Sequence, residues 1–367
     1  MIRFVDFLLV ASTIACTDGP AATDHQNVDA VSATDPLAVL VTSDYEVGTL
    51  STLTLDGVVT PDLLPTSGDT VVQAEGGRIY YLDRTANIVR AYDDRDFVAP
   101  VWEVNVGDGS NPVSVAGCGG RVFIALYFVP ALLVLDPSTG ETLGQVDLSA
   151  FSDPDGSPEP DSLVASPNGK LYLAMNQLDF LGTYGSVDGS GTLAEIDCEA
   201  MTVTESWEVG PNPHASPVGD GARIAVHGGD YFLPDFSGPA LDGGLWIFDT
   251  STRTLGAPVF TEAALGANVG NVVVREDGRG LLTLDDALTW EVACFDLDTA
   301  TLGTPFAPQA YVQEARPGPD GAVWLVQRAP FSGEAGAVGT VRVDLETCTP
   351  GAPFATALEP YSLAFLR

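Results

Sequence analysis

Past residue 36 the chain repeats one pattern, a short turn ending in glycine followed by a brief, mostly apolar strand. The copies are Gly77-Arg-Ile-Tyr-Tyr, Gly120-Arg-Val-Phe-Ile, Gly169-Lys-Leu-Tyr-Leu, Gly221-Ala-Arg-Ile-Ala, Gly278-Arg-Gly-Leu-Leu and Gly321-Ala-Val-Trp-Leu. Their spacings are 43, 49, 52, 57 and 43 residues. Asn168, Asp220, Asp277 and Asp320 precede four of these glycines. Asn-Gly and Asp-Gly tolerate the positive φ that a tight hairpin demands. A second mark follows in each unit, where an apolar strand stops at an aspartate: Asp56, Asp93, Asp136, Asp197, Asp249, Asp296 and Asp344. Such an aspartate can accept backbone amides two residues on and close the turn. Periods of this length predict stacked supersecondary units rather than independent domains.

Seven aspartate turns stand against six glycine turns, and the unit lacking its glycine is the N-terminal one, which opens directly with Leu37-Ala-Val-Leu-Val. The C-terminal strand Ser362-Leu-Ala-Phe-Leu has no partner within its own unit. Joining the two removes both exposed edges. The predicted fold is therefore all-β: a seven-bladed β-propeller over residues 37–367, each blade having strands a to d from the centre outward. The C-terminal strand supplies strand a of the N-terminal blade. A glycine followed by a proline leads into two further units, at Gly107 to Pro112 and Gly210 to Pro213. With these marks in order, the chain resembles the seven-bladed propellers of the bacterial YVTN-repeat class, and more loosely lactonase-like and quinoprotein-dehydrogenase-like propellers. The resemblance implies architecture and frequent export. It does not choose among binding proteins, lyases, lactonases and redox subunits.

The N-terminus adds a compartment. Arg3 precedes the short apolar run Phe7 to Ala15, and Thr13-Ile14-Ala15-Cys16 follows the outline of a processing site. The run is too short to span a bilayer, which takes about 20 residues. The Ala-Cys ending resembles the bacterial lipobox, with Thr13 and Asp6 as departures, which implies a signal peptide over 1–16 and lipidation of Cys16. Residues 17–36 are small, polar and aperiodic, a flexible tether spanning about 25 Å as a random coil. The membrane partner is then a lipid anchor alone, and the expected location is the outer membrane of a bacterial cell envelope.

Charge narrows the partners. Fifty acidic residues against fifteen basic ones give a formal net charge of -35, which repels phosphate backbones, so nucleic acid is not an expected partner. The four cysteines Cys118, Cys198, Cys294 and Cys348 are even in number, and outside the cytoplasm two disulfides are expected. Three pairings are open. Placement on neighbouring blades favours Cys118 with Cys198 and Cys294 with Cys348, and the competing reading is four buried thiols.

Every long insertion falls in a connection expected on one rim of the ring: 149–161, 176–191, 228–243 and 328–339. These loops hold Phe180, Tyr184, Tyr231, Phe232 and Phe236 among Asp230 and Asp235. Aromatic faces beside carboxylates suit a sugar, a cationic ligand or a protein partner. Packing of the loops on themselves explains the same residues. Asp153, Asp155, Glu159 and Asp161 place four carboxylates within nine residues around a glycine turn, an oxygen-only set that suits Ca²⁺ but lacks the spacing of an EF-hand. His214, just after Pro213, lies near the channel mouth. As a lone histidine it reads first as a bond to a neighbouring blade and second as a ligand-binding residue. No catalytic Ser-His-Asp order, heme-attachment motif or phosphate loop is present. The leading functional expectation is a ligand- or partner-binding scaffold. The alternative is a divalent-metal lactonase or lyase, with Asp161, Asn268 and Glu314 converging at the channel mouth.

Overall fold

The computed structural model describes residues 36–94, 96–97, 99–178, 190–230, 238–285, 289–308, 310–329 and 338–366. Among them the fold is all-β in a propeller arrangement, with one short helix, Glu262–Leu265, and one 3-10 turn, Ser149–Phe151. Five sheets have four strands each, and a sixth has nine. In four of the five simple sheets the strands follow chain order, as in Pro112–Cys118, Arg121–Leu126, Ala131–Leu135 and Thr142–Asp147. The nine-stranded sheet comprises two such meanders, beginning at Pro213–Val218 and Asn268–Val274. A single parallel pair, Val218 with Val274, links them.

Local turn chemistry accounts for the meanders. The six repeat glycines Gly77, Gly120, Gly169, Gly221, Gly278 and Gly321 all have φ between +73 and +86, where a side chain would be strained. Asp136, Asp197, Asp249, Asp296 and Asp344 accept backbone amides just beyond their strands. Two of the seven aspartates do otherwise. Asp93 pairs with Arg78, its cross-strand neighbour, at 3.2 Å, and Asp56 accepts from the Thr54 hydroxyl.

Second strands such as Arg121–Leu126 and Lys170–Met175 are buried at every position after the first, whereas the outer strand Thr142–Asp147 is mostly exposed. A sheet covered on both faces needs apolar residues on both. The core accordingly lies between sheets. One cluster joins Phe123 and Leu132 of one sheet to Leu171 and Ile196 of the next, and another joins Leu40, Leu53 and Leu363 of one sheet to Trp324 and Val326 of the next. Each such large side chain contributes about 1.5–3 kcal/mol on burial.

The strand Pro360–Phe365 pairs antiparallel with Pro36–Ser43, from Ala38 opposite Phe365 to Thr42 opposite Pro360. Arg328 clasps this seam. It is 2% exposed, donates to the Pro360 and Ser43 carbonyls at 3.2 and 3.0 Å, and stacks over Tyr45 and Tyr361. Side chains also tie one inner strand to the next. The Val72, Val115, Leu163, Ala215, Ala315 and Leu363 amides donate to Ser362, Gln73, Ser114, Ser162, Asn271 and Glu314 respectively. Cys118–Cys198 and Cys294–Cys348 are disulfides, each joining one sheet to its neighbour.

Candidate functional site

The inner strands surround a cavity of about 1090 Å³. Three of them, Pro112–Cys118, Pro160–Ala165 and Pro213–Val218, open on a proline, as does the closing strand Pro360–Phe365. The residue after the proline is Asp161 in one strand and His214 in its neighbour. Equivalent positions on adjacent strands put these two side chains together, with His214 Nδ1 2.6 Å from Asp161 Oδ2. The next pair along fixes that register, since the Ala215 amide donates to Ser162 Oγ at 2.7 Å. His214 remains 48% exposed and Asp161 23%, and both line the cavity. Hydrogen bonding of Nδ1–H to an ionised carboxylate leaves Nε2 of a neutral imidazole as an acceptor.

His227 stands directly opposite His214 across the strand pair, with ring centres 5.2 Å apart. It is buried, and burial holds its pKa well below the ordinary histidine value, so it stays uncharged at neutral pH. Two arginines reach the cavity wall, and each already has a carboxylate partner. Arg84 pairs with Asp69, and Arg316 Nε donates to Glu314 Oε1 at 2.7 Å. Tyr361 donates its hydroxyl to Asp69 at 2.7 Å, and burial keeps that hydroxyl protonated.

Asp161, Asn268 and Glu314, the expected channel-mouth set, all line the cavity. Asp161 is held by His214, and both Glu314 oxygens are engaged, one by Arg316 and one by the Leu363 amide at 2.7 Å. Asn268 opens its strand as a buried residue. The four-carboxylate loop divides. Asp153, Asp155 and Glu159 come together with ligand oxygens within 4.8 Å of one another, while Asp161 turns to His214. Of the rim candidates, Asp230 is described, its amide donating to Asp242 at 3.0 Å. Phe180, Tyr184, Tyr231, Phe232, Asp235 and Phe236, like Cys16, lie outside the described residues.

Two buried glutamates border the connections around the site. Glu159 Oε2 accepts the Leu178 amide at 2.8 Å, and burial pushes its pKa up to about 8. Glu262 begins the helix Glu262–Leu265 and accepts the Gly243 and Val269 amides at 2.9 and 2.7 Å. Burial pushes it up to about 7. Sequence reasoning missed Glu262 and Arg328, and it expected His214 to bond a neighbouring blade without naming Asp161 as the partner. That pairing had a readable signal, because both residues directly follow the proline that opens an inner strand.

No protein-family model and no curated protein matches the sequence. Many solved structures share the fold. The periplasmic gluconolactonase of Pseudomonas aeruginosa matches with a TM-score of 0.61 at 14% identity, over 90% of this chain and 99% of that one. A protein from Lactobacillus plantarum matches at 0.65 and 15%, over 90% and 99%. Hydrazine synthase of Kuenenia stuttgartiensis matches at 0.58 and 14%, over 89% and 100%. Fold and cavity together define the class as β-propeller.

Proposed function

We propose that this chain is a seven-bladed propeller, exported and lipid-anchored through Cys16, that hydrolyses the internal ester of a neutral sugar lactone in its central cavity. The count of seven takes the nine-stranded sheet as two blades joined at Val218 and Val274. Two disulfides support an oxidising compartment outside the cytoplasm. The observation that carries the reading is the bond between His214 and Asp161 at the wall of a 1090 Å³ cavity. It supports a histidine base oriented by a carboxylate.

In the proposed reaction His214 Nε2 takes a proton from water, and the resulting hydroxide adds to the lactone carbonyl. The ring C–O bond then breaks and the imidazolium returns its proton to the departing alkoxide, giving a hydroxy acid with one water added. A positioned base of this kind is worth about 10²–10⁴-fold in rate. Neutrality of the substrate follows from charge: Arg84 and Arg316 are already paired with carboxylates, leaving little for a phosphate to bind. The fold shared with a gluconolactonase makes D-glucono-1,5-lactone the first compound to try.

The test is lactone hydrolysis at neutral pH, where a histidine base is unprotonated, with the spontaneous rate subtracted. Wild type should turn over the neutral lactone faster than its 6-phosphate. His214→Ala and Asp161→Asn should each lose about 10²-fold or more. Saturable binding without turnover would return the protein to the binding-scaffold reading. Retention of Cys16→Ser in the membrane fraction would remove the lipid anchor.

A further inference from the structure

We propose that Asp153, Asp155 and Glu159 bind a calcium ion. The three carboxylates belong to the connection that leads into the inner strand Pro160–Ala165, and their ligand oxygens all lie within 4.8 Å of one another. Oxygens this close can share one cation at Ca–O bonds of about 2.4 Å. The donors are oxygen only, the set a hard cation prefers over zinc or copper.

The independent observation is an unmet oxygen. Glu159 is 0% exposed; its Oε2 accepts the Leu178 amide, and its Oε1 has no hydrogen-bond partner. Asp153 repeats the arrangement: Oδ1 accepts the Asp155 amide at 2.9 Å, and buried Oδ2 has no partner. A buried carboxylate oxygen without a donor costs free energy unless a proton or a cation meets it. Two such oxygens sit in the same cluster, which one cation satisfies together. The chain shapes the loop for this arrangement, since Gly156 has φ +101 and Glu159 itself has φ +45. Water or backbone carbonyls would complete the six to eight oxygens that Ca²⁺ takes. Bound there, the ion would fasten this connection to Leu178, in the connection that follows the strand Lys170–Met175.

The proposal stands apart from the cavity chemistry, and its test uses no lactone. The full mature protein, stripped with a chelator and desalted, is titrated with Ca²⁺ by calorimetry in physiological salt with millimolar Mg²⁺ present to suppress diffuse binding to the acidic surface. One site is expected, with Kd about 10⁻⁴–10⁻³ M or tighter, as in extracellular modules, and a rise in Tm on adding Ca²⁺. Glu159→Gln and Asp155→Asn should each weaken binding about tenfold or more and abolish the Tm rise. Circular dichroism without metal shows whether each variant folds, and the partly exposed Asp155 gives the informative variant if Glu159→Gln does not. No saturable Ca²⁺ binding to wild type, or equal affinity in folded Asp155→Asn, would overturn the assignment.

Discussion

Glu159 and Glu262 are both fully buried, and each stands in a connection that returns the chain to an inner strand, Pro160–Ala165 for one and Asn268–Val274 for the other. Each also reaches sideways to a backbone amide in another connection, Leu178 or Gly243. They differ in the second oxygen. Glu262 gives it to the Val269 amide, whereas Glu159 leaves it without a donor beside two aspartates. A carboxylate with both oxygens bonded by backbone is an internal brace. One with a bare oxygen facing other carboxylates has the form of half a coordination shell. Two residues of the same kind and burial thus take different roles through a single amide.

The largest expected effect is on the brace. Glu262→Ala strips the acceptor from two buried amides at about 1–3 kcal/mol each, so a loss of about 2–6 kcal/mol is expected in urea unfolding. A loss under 1 kcal/mol would show that water replaces the carboxylate and that the contrast is empty.

A middle-sized effect should appear with pH. The groups facing Glu262 are Asp242 and Asp230, whose charges raise its pKa along with burial, and the Gly243 and Val269 amides, which lower it. Its pKa rises on folding from 4.5 to about 7. The unfolded chain therefore releases this proton first, and the contribution of Glu262 to stability is full below pH 4.5 and lost as pH rises towards about 7. Relative to Glu262→Gln, wild type should be more stable near pH 4.5 than near pH 7, a difference read from paired unfolding curves. A constant gap between the two proteins would contradict the assignment. The smallest effect is expected for Glu159→Gln without calcium. The amide oxygen still accepts from Leu178, so stability should stay within about 1 kcal/mol of wild type.

Much of the architecture was legible because local chemistry sets it. Positive φ at six glycines and capped turns at five aspartates are decided by residues adjacent in sequence. The unpartnered C-terminal strand was readable as the seam, because an exposed edge is costly wherever it lies. Placement on neighbouring blades also separated the disulfide pairing from its two rivals. The site was less legible. Asp161 read as the fourth member of an acidic loop, because residues two apart share a face in an extended strand. The left-handed backbone at Glu159 breaks that rule, so Asp161 departs for His214. Glu262 gave no signal at all, since its partners lie 19 residues before it and 7 after. Which amide meets a buried carboxylate is settled by how connections stack, which local patterning does not encode.

The seam has a consequence for the order of assembly. Pro360–Phe365 is the last strand along the chain, yet it pairs with the first, Pro36–Ser43, under the cover of Arg328. Until Pro360–Phe365 is in place, the sheet begun by Pro36–Ser43 has one edge bare. Losing that strand would leave a sticky three-stranded sheet edge on a molecule otherwise made.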